Sequence, residues 1–263
     1  MDELDRVVRD FVAAQPYSVA IEPTDTPNRT LSRFHIKQTP PTLISVVVAD
    51  IVNNLRAALD NLAYAMAERN LGRPLTPEEQ RLPAFPILDS ESEFNRYVRA
   101  RGRDRLWGKR GVGALRVVQP FTDPNTVAYH STNPFARLLS RSDLLRRMNN
   151  LWNVDKHRHL TVAAFVPNGI SWPYEEGSES PRFSSGDGLF ADGSVLYYIE
   201  GGADLPIGIH FDLTIVDDLP LRRTGLGHGD HVVQLMHKFH AYVTDCVFPA
   251  VAQTWTDAQS GSE

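Results

Sequence analysis

A chain of 263 residues, 42% hydrophobic and 22% charged, can bury a sizeable core and is not globally disordered. Its 27 basic and 32 acidic residues leave a net charge of -5, so no overall basic excess marks the whole chain as a nucleic-acid binder. The single cysteine, Cys246, excludes an internal disulfide and a cysteine-based structural zinc site. In its apolar helical run it reads as a buried, inert thiol.

The N-terminal stretch is acidic and lacks a signal-peptide pattern. The most apolar stretch, residues 43–52, is interrupted by Asp50 and is too short to span a bilayer. The expectation is a cytoplasmic protein. Residues 4–14 read as a helix. Two strand-like runs follow, 17–22 and 31–37, joined by Pro23-Thr24-Asp25-Thr26-Pro27-Asn28, so a hairpin is expected. Pro40-Pro41 closes it.

A long helix then covers 43–70, with Val48, Ile51, Leu55, Leu59, Leu62 and Met66 as its apolar stripe. Gly72 and Pro74 end it. Thr76-Pro77-Glu78-Glu79 resembles a short helix start, and Pro83, Phe85 and Pro86 mark a stiffened loop. A helix over 90–101 would be capped by Ser90, with Glu93 at the capping-box position. Residues 101–116, rich in glycine and arginine, read as a surface loop or short helices. Asn133-Pro134 opens another helix, and a second long one covers 142–159. Beyond it come a strand at 161–166, a loop over 167–188, and strands at 195–200 and 207–216. A last amphipathic helix spans 230–251, and the polar tail from 254 should fray. These elements predict one α+β domain of helices packed on a small, mostly antiparallel sheet.

Two of the helices are studded with polar groups. On a wheel of about 100° per residue, Asn53, Arg56 and Asp60 share one side of the first, and Asn54 and Asn61 line a flank. On the second, Leu144, Leu145, Met148, Leu151 and Trp152 define the apolar face. Extended, that face takes in Asp155 and puts Arg158 at its edge; Asn150, Asn153 and His157 lie opposite. A carboxylate on a core face needs a partner. Arg56 is the candidate for Asp155, because Arg56 before Asp60 is the weaker order for a helical ion pair. A bland reading makes this a buried network that fixes helix packing. A functional reading makes Asn61, Asp155, Lys156, His157 and Arg158 the lining of a site for an anionic ligand or a scissile phosphate. There His157 would transfer protons and the cations would stabilise phosphate charge.

Asn54-Leu55-Arg56-Ala57-Ala58-Leu59-Asp60-Asn61-Leu62-Ala63, Phe85-Pro86-Ile87, Gln119-Pro120 and Asn153-Val154-Asp155-Lys156-His157-Arg158 together resemble an uncharacterised bacterial protein family. The resemblance covers about residues 45–160 and implies no activity. The first segment also resembles HEPN ribonucleases, whose helices carry an arginine and, four to six residues on, a histidine. Here that position is Asn61, which cannot take up a proton as histidine does.

His228, His231, His237 and His240 show no pair at the four-residue spacing of a helical zinc site, so no metal is expected. The basic run 99–116 could contact phosphates, with Trp107 available for stacking, or form a solvated face with local ion pairs. No phosphate loop or nucleophile elbow is present. Three readings follow. The first is a HEPN-like or defence-associated RNA-directed protein, a nuclease or its degenerate partner, with Arg56 and His157 catalytic. Asn54, Asp60, Asn61, Asn153, Asp155, Lys156 and Arg158 would then be binding residues. The second is a non-enzymatic module for a small ligand or a protein, and the third is a purely structural network. The expected partners are RNA or an anionic small ligand, with a homodimer as a further expectation, no membrane and no cofactor.

Overall fold

Three carboxylates, Asp2, Glu3 and Asp5, occupy the first turn of α1 (Asp2–Ala13), where they favour the helix dipole. Leu4, Val7, Val8 and Phe11 form its buried stripe. This is the first element of a computed structural model that describes residues 1–122, 141–157, 162–171, 180–186, 191–201, 207–215 and 231–257. The described chain is α+β, as its periodicity predicts. It divides into two compact units, each assembled from two segments: Met1–Val48 with Leu160–Leu235, and Ala49–His159 with Met236–Glu263.

The first unit carries the strands. β1 (Tyr17–Pro23) and β2 (Arg29–Ile36) form the expected antiparallel hairpin. β2 pairs with β5 (Val195–Glu200), and β5 with β4 (Arg182–Ser185), giving the order β1-β2-β5-β4. A register shift at Ser32/Arg33 is filled by the Ser32 hydroxyl, which accepts from the Tyr197 N–H at 3.0 Å. β3 (Val162–Ser171) and β6 (Gly208–Ile215) make a separate two-stranded sheet. Phe211 of β6 lies 4.7 Å from the ring of Tyr17 and 4.9 Å from that of Phe34, so an aromatic cluster joins the two sheets. The expected loop over 167–188 is corrected: β3 continues to Ser171, and Arg182–Ser185 is a strand. Its sequence, Arg-Phe-Ser-Ser, shows little alternation, and pairing with β5 decides its conformation.

The second unit is helical. α2 (Thr42–Leu71) starts in the first unit and supplies the second from Ala49 onward. An 18-residue window of α2 has a mean hydropathy of 1.5 and a third of it is buried, so by length and composition this helix could cross a membrane. That corrects the ten-residue limit read from 43–52. Its buried line runs through Ile44, Val48, Val52, Leu55, Leu59, Ala63, Met66 and Ala67, whereas Ile51 and Leu62 are only half-buried. Thr76 and Glu79 form a reciprocal cap around a short helical turn, Glu79–Arg81. Then comes α3 (Glu91–Arg99), whose Ser90 hydroxyl accepts from the Glu93 N–H at 3.3 Å, as its sequence predicts.

The basic run 101–116 is mainly helix α4 (Arg103–Arg116), in two halves that meet at Gly108. At φ 63° and ψ 177° Gly108 breaks the helix, and the Asn70 amide caps the exposed carbonyls of Arg105 and Leu106 at 3.2 and 3.0 Å. At a φ of 63° the backbone favours glycine, and a Cβ there would also crowd the Asn70 side-chain amide. Trp107, expected as an exposed stacking surface, has no exposed area, and its indole N–H donates to the Ala63 carbonyl at 2.9 Å.

α5 (Arg141–His157) is the second polar helix, with Leu145, Met148 and Leu151 buried. The C-terminal helix comprises α6 (Val232–Ala241), a π-helical turn (Tyr242–Val247) and α7 (Phe248–Asp257). Phe239, Val243, Val247 and Val251 stay buried at four-residue steps along it. In an α-helix of about 3.6 residues per turn such a line would drift, and the wider turn absorbs the drift. Cys246 is half-buried in that turn, less enclosed than its apolar surroundings predict. The helix expected at Asn133-Pro134 lies outside the described residues.

Candidate functional site

The loop 82–88 between α2 and α3 buries Pro83, Phe85 and Pro86. It has no strand or helix partner, yet a buried backbone must bond its N–H and carbonyl groups. Side chains supply the bonds. Arg103 Nε donates to the Leu82 carbonyl at 2.9 Å, and the Tyr97 hydroxyl to the Ala84 carbonyl at 2.9 Å. Arg56 Nη2 donates to the Phe85 carbonyl at 2.7 Å. Asp60 Oδ1 accepts from the Phe85 N–H at 2.8 Å, so one turn of α2 grips both ends of that residue. Gln119 Nε2 donates to the Pro86 carbonyl at 2.9 Å, and its Oε1 accepts from the Leu88 N–H at 3.2 Å.

Arg56 sits at the centre. Its residue exposure is 7%, and Nη2 also bonds Asp60 Oδ1 at 2.9 Å. The face of its guanidinium is covered by the indole of Trp152, with Cζ 4.9 Å from the ring centroid. Its Nε is buried without a hydrogen-bond partner among the described residues. Burial raises the Tyr97 hydroxyl above the ordinary phenol range, against the nearby Arg103 and Arg56 charges, so it stays protonated and donates.

The two polar helices therefore do meet at Arg56, but the contact seen is a cation over an aromatic ring. The i, i+4 pairing with Asp60, which the helix-order rule disfavours, is present because Phe85 bonds both partners. The side chains of Asp155, Lys156 and His157, and all of Arg158, lie outside the described residues. Asn54, Asn61 and Asn153 are exposed and form no part of the grip on the loop. The helix wheel puts Arg56 opposite the apolar stripe of α2; in the structure it stands beside Val52, Leu55 and Leu59 among the buried residues.

The sequence places Phe85 in a stiffened loop, Trp152 on an apolar helix face and Gln119 in a shared pattern, but it does not bring them, or Tyr97, to Arg56. The signal was available in their spacing. A proline-flanked Phe85 leaves backbone groups with no ladder partner, and buried side-chain amides and guanidinium groups are what can satisfy them. Among the histidines, His231 caps the start of α6 by accepting from the Val233 N–H at 3.3 Å, while His237 and His240 are exposed.

Comparison with family models, with curated proteins and with solved structures gives no match, so the geometry alone bears on function.

Proposed function

We propose that this protein works by binding and not by cleavage, as a non-enzymatic module whose polar helix junction is a structural clamp. The state of Arg56 supports this reading most directly. A catalytic arginine must offer its N–H groups to a developing phosphate charge. Here Nη2 is engaged by Asp60 and Phe85, and Trp152 covers the guanidinium face. Asn61, where the HEPN spacing carries histidine, has no group to move a proton. The nuclease reading contracts to a degenerate relative that retains a partner, RNA or an anionic small ligand, without turning it over.

The test is incubation of the purified protein with an end-labelled RNA of mixed sequence, with and without divalent cation. The expected result is no product above the buffer control. Cleavage that disappears in His157→Ala, with the variant melting at the wild-type temperature, would overturn the reading.

A further inference from the structure

We propose that the ridge formed by Arg96, Arg99, Arg101, Arg105, Lys109 and Arg110 docks the phosphodiester backbone of a nucleic-acid duplex. This rests on the binding reading above and supplies its partner.

Residues 96–110 hold seven basic side chains and one acidic, a net +6 in a chain whose total is -5. The structure sorts these cations. Arg103 is tied to the Leu82, Tyr97 and Ala100 carbonyls and lies over the Tyr97 ring. The six ridge residues are all exposed, and none has an ion-pair partner among the described residues. A solvated face would alternate signs and form local pairs. Here the sole carboxylate in the run, Asp104, leaves most of the charge uncompensated, and the nearby Glu91 is taken by Arg116. Like charges held together oppose folding, and a polyanion relieves that repulsion.

The frame beneath is fixed. Arg101 and Gly102, with φ of 57° and 71°, turn the chain from α3 into α4. Trp107 bonded to Ala63 and Asn70 bonded to both α4 carbonyls hold the second turn at Gly108. The ridge therefore presents its charges from anchored helices rather than a floppy loop.

What the ridge lacks selects the partner. Val98, Leu106 and Trp107 point inward, and the Tyr97 hydroxyl is bonded to Ala84. Within residues 96–110 no aromatic is exposed and available to stack unpaired bases, which single-strand binders use. Within residues 96–110 no large apolar side chain is exposed to enter a bilayer. Five of the six cations are arginines, whose planar fork matches phosphate oxygens. Backbone contact without base readout is the binding mode that remains.

The experiment uses fluorescence anisotropy with the full chain. Probes are a labelled RNA duplex, the matching DNA duplex, the single strand, and vesicles containing phosphatidylserine. The comparison protein carries Arg99→Gln, Arg105→Gln, Lys109→Gln and Arg110→Gln together. Wild type should bind duplex with log K falling against log salt at a slope of about -3 to -5. The variant should bind at least about tenfold more weakly with a shallower slope, and it should melt no lower than wild type, since it relieves like-charge repulsion. Binding to either duplex in this pattern supports the ridge. Absence of duplex binding at low salt, equal binding by the folded variant, or a preference for vesicles or single strand overturns it. Cleavage of RNA by wild type, with binding still lost in the variant, would overturn the non-enzymatic reading and leave the ridge standing.

Discussion

Arg56 and Arg105 carry the same guanidinium on neighbouring helices of one unit, and their surroundings give them opposite work. Arg56 is buried under Trp152 and holds the Phe85 carbonyl; Arg105 is exposed with no ion-pair partner among the described residues. The difference lies in what their N–H groups meet. A guanidinium beside an unpaired buried carbonyl becomes structural, because leaving either group without a partner is costly. A guanidinium in water retains its donors for a ligand. In this chain a motif-like context around an arginine marks the structural one, and the less patterned run marks the candidate binding surface.

The buried side of the comparison breaks most visibly with Arg56→Ala. The change strands the Phe85 carbonyl, leaves Asp60 without its cation and opens space against Trp152. Urea unfolding should show a loss of about 3 kcal/mol, and unchanged stability would dissolve the clamp. Gln119→Ala sharpens the same side with a neutral anchor that is 2% exposed and holds Pro86 and Leu88. Its expected cost is about 2 kcal/mol by the same measurement. If both changes are neutral, the loop is held by apolar packing alone.

Arg73 is the intermediate case, an exposed arginine that already has a partner. Its bond with Glu79, helped by the Thr76 N–H, lowers the Glu79 carboxyl to about 2. A depressed carboxylate stabilises the fold above its unfolded value and loses that contribution as pH falls. Stability from this pair should therefore be present at neutral pH and fade between about pH 4.5 and pH 2. The effect is small and sensitive to salt, because the pair is solvent-exposed. Comparing acid melts of wild type and Glu79→Gln isolates it; identical curves across that window would remove the pair from the account.

Much of the fold was legible in the sequence. The hairpin connector, the Ser90 cap and the alternation at 207–216 each act over a few residues, and local chemistry determines them. The errors share a cause. Counting Arg56 as polar turns it outward on the helix wheel, but its Nη2 is held by Asp60 and Phe85 and the residue is buried with the core. Residues 101–116 are expected as a surface loop or short helices, and of these the short helices form, broken at Gly108, with Trp107 turned inward to the Ala63 carbonyl rather than outward. Arg182–Ser185 owes its extended form to a partner strand. At the candidate site the sequence pointed to Arg56 and to a meeting of two helices. It could not supply Trp152 as the surface that Arg56 meets, since contact between residues so distant in the chain is set by packing.

The grip on Phe85 also has a consequence for how that segment breathes. Its N–H is bonded to Asp60, and that of Leu88 to Gln119, over separations of 25 and 31 residues. Neither bond can open by the fraying of a local turn, as a loop amide ordinarily would. Deuterium should enter these two positions only through the larger openings that release the surrounding helices, so a stretch without regular secondary structure would exchange like a core element.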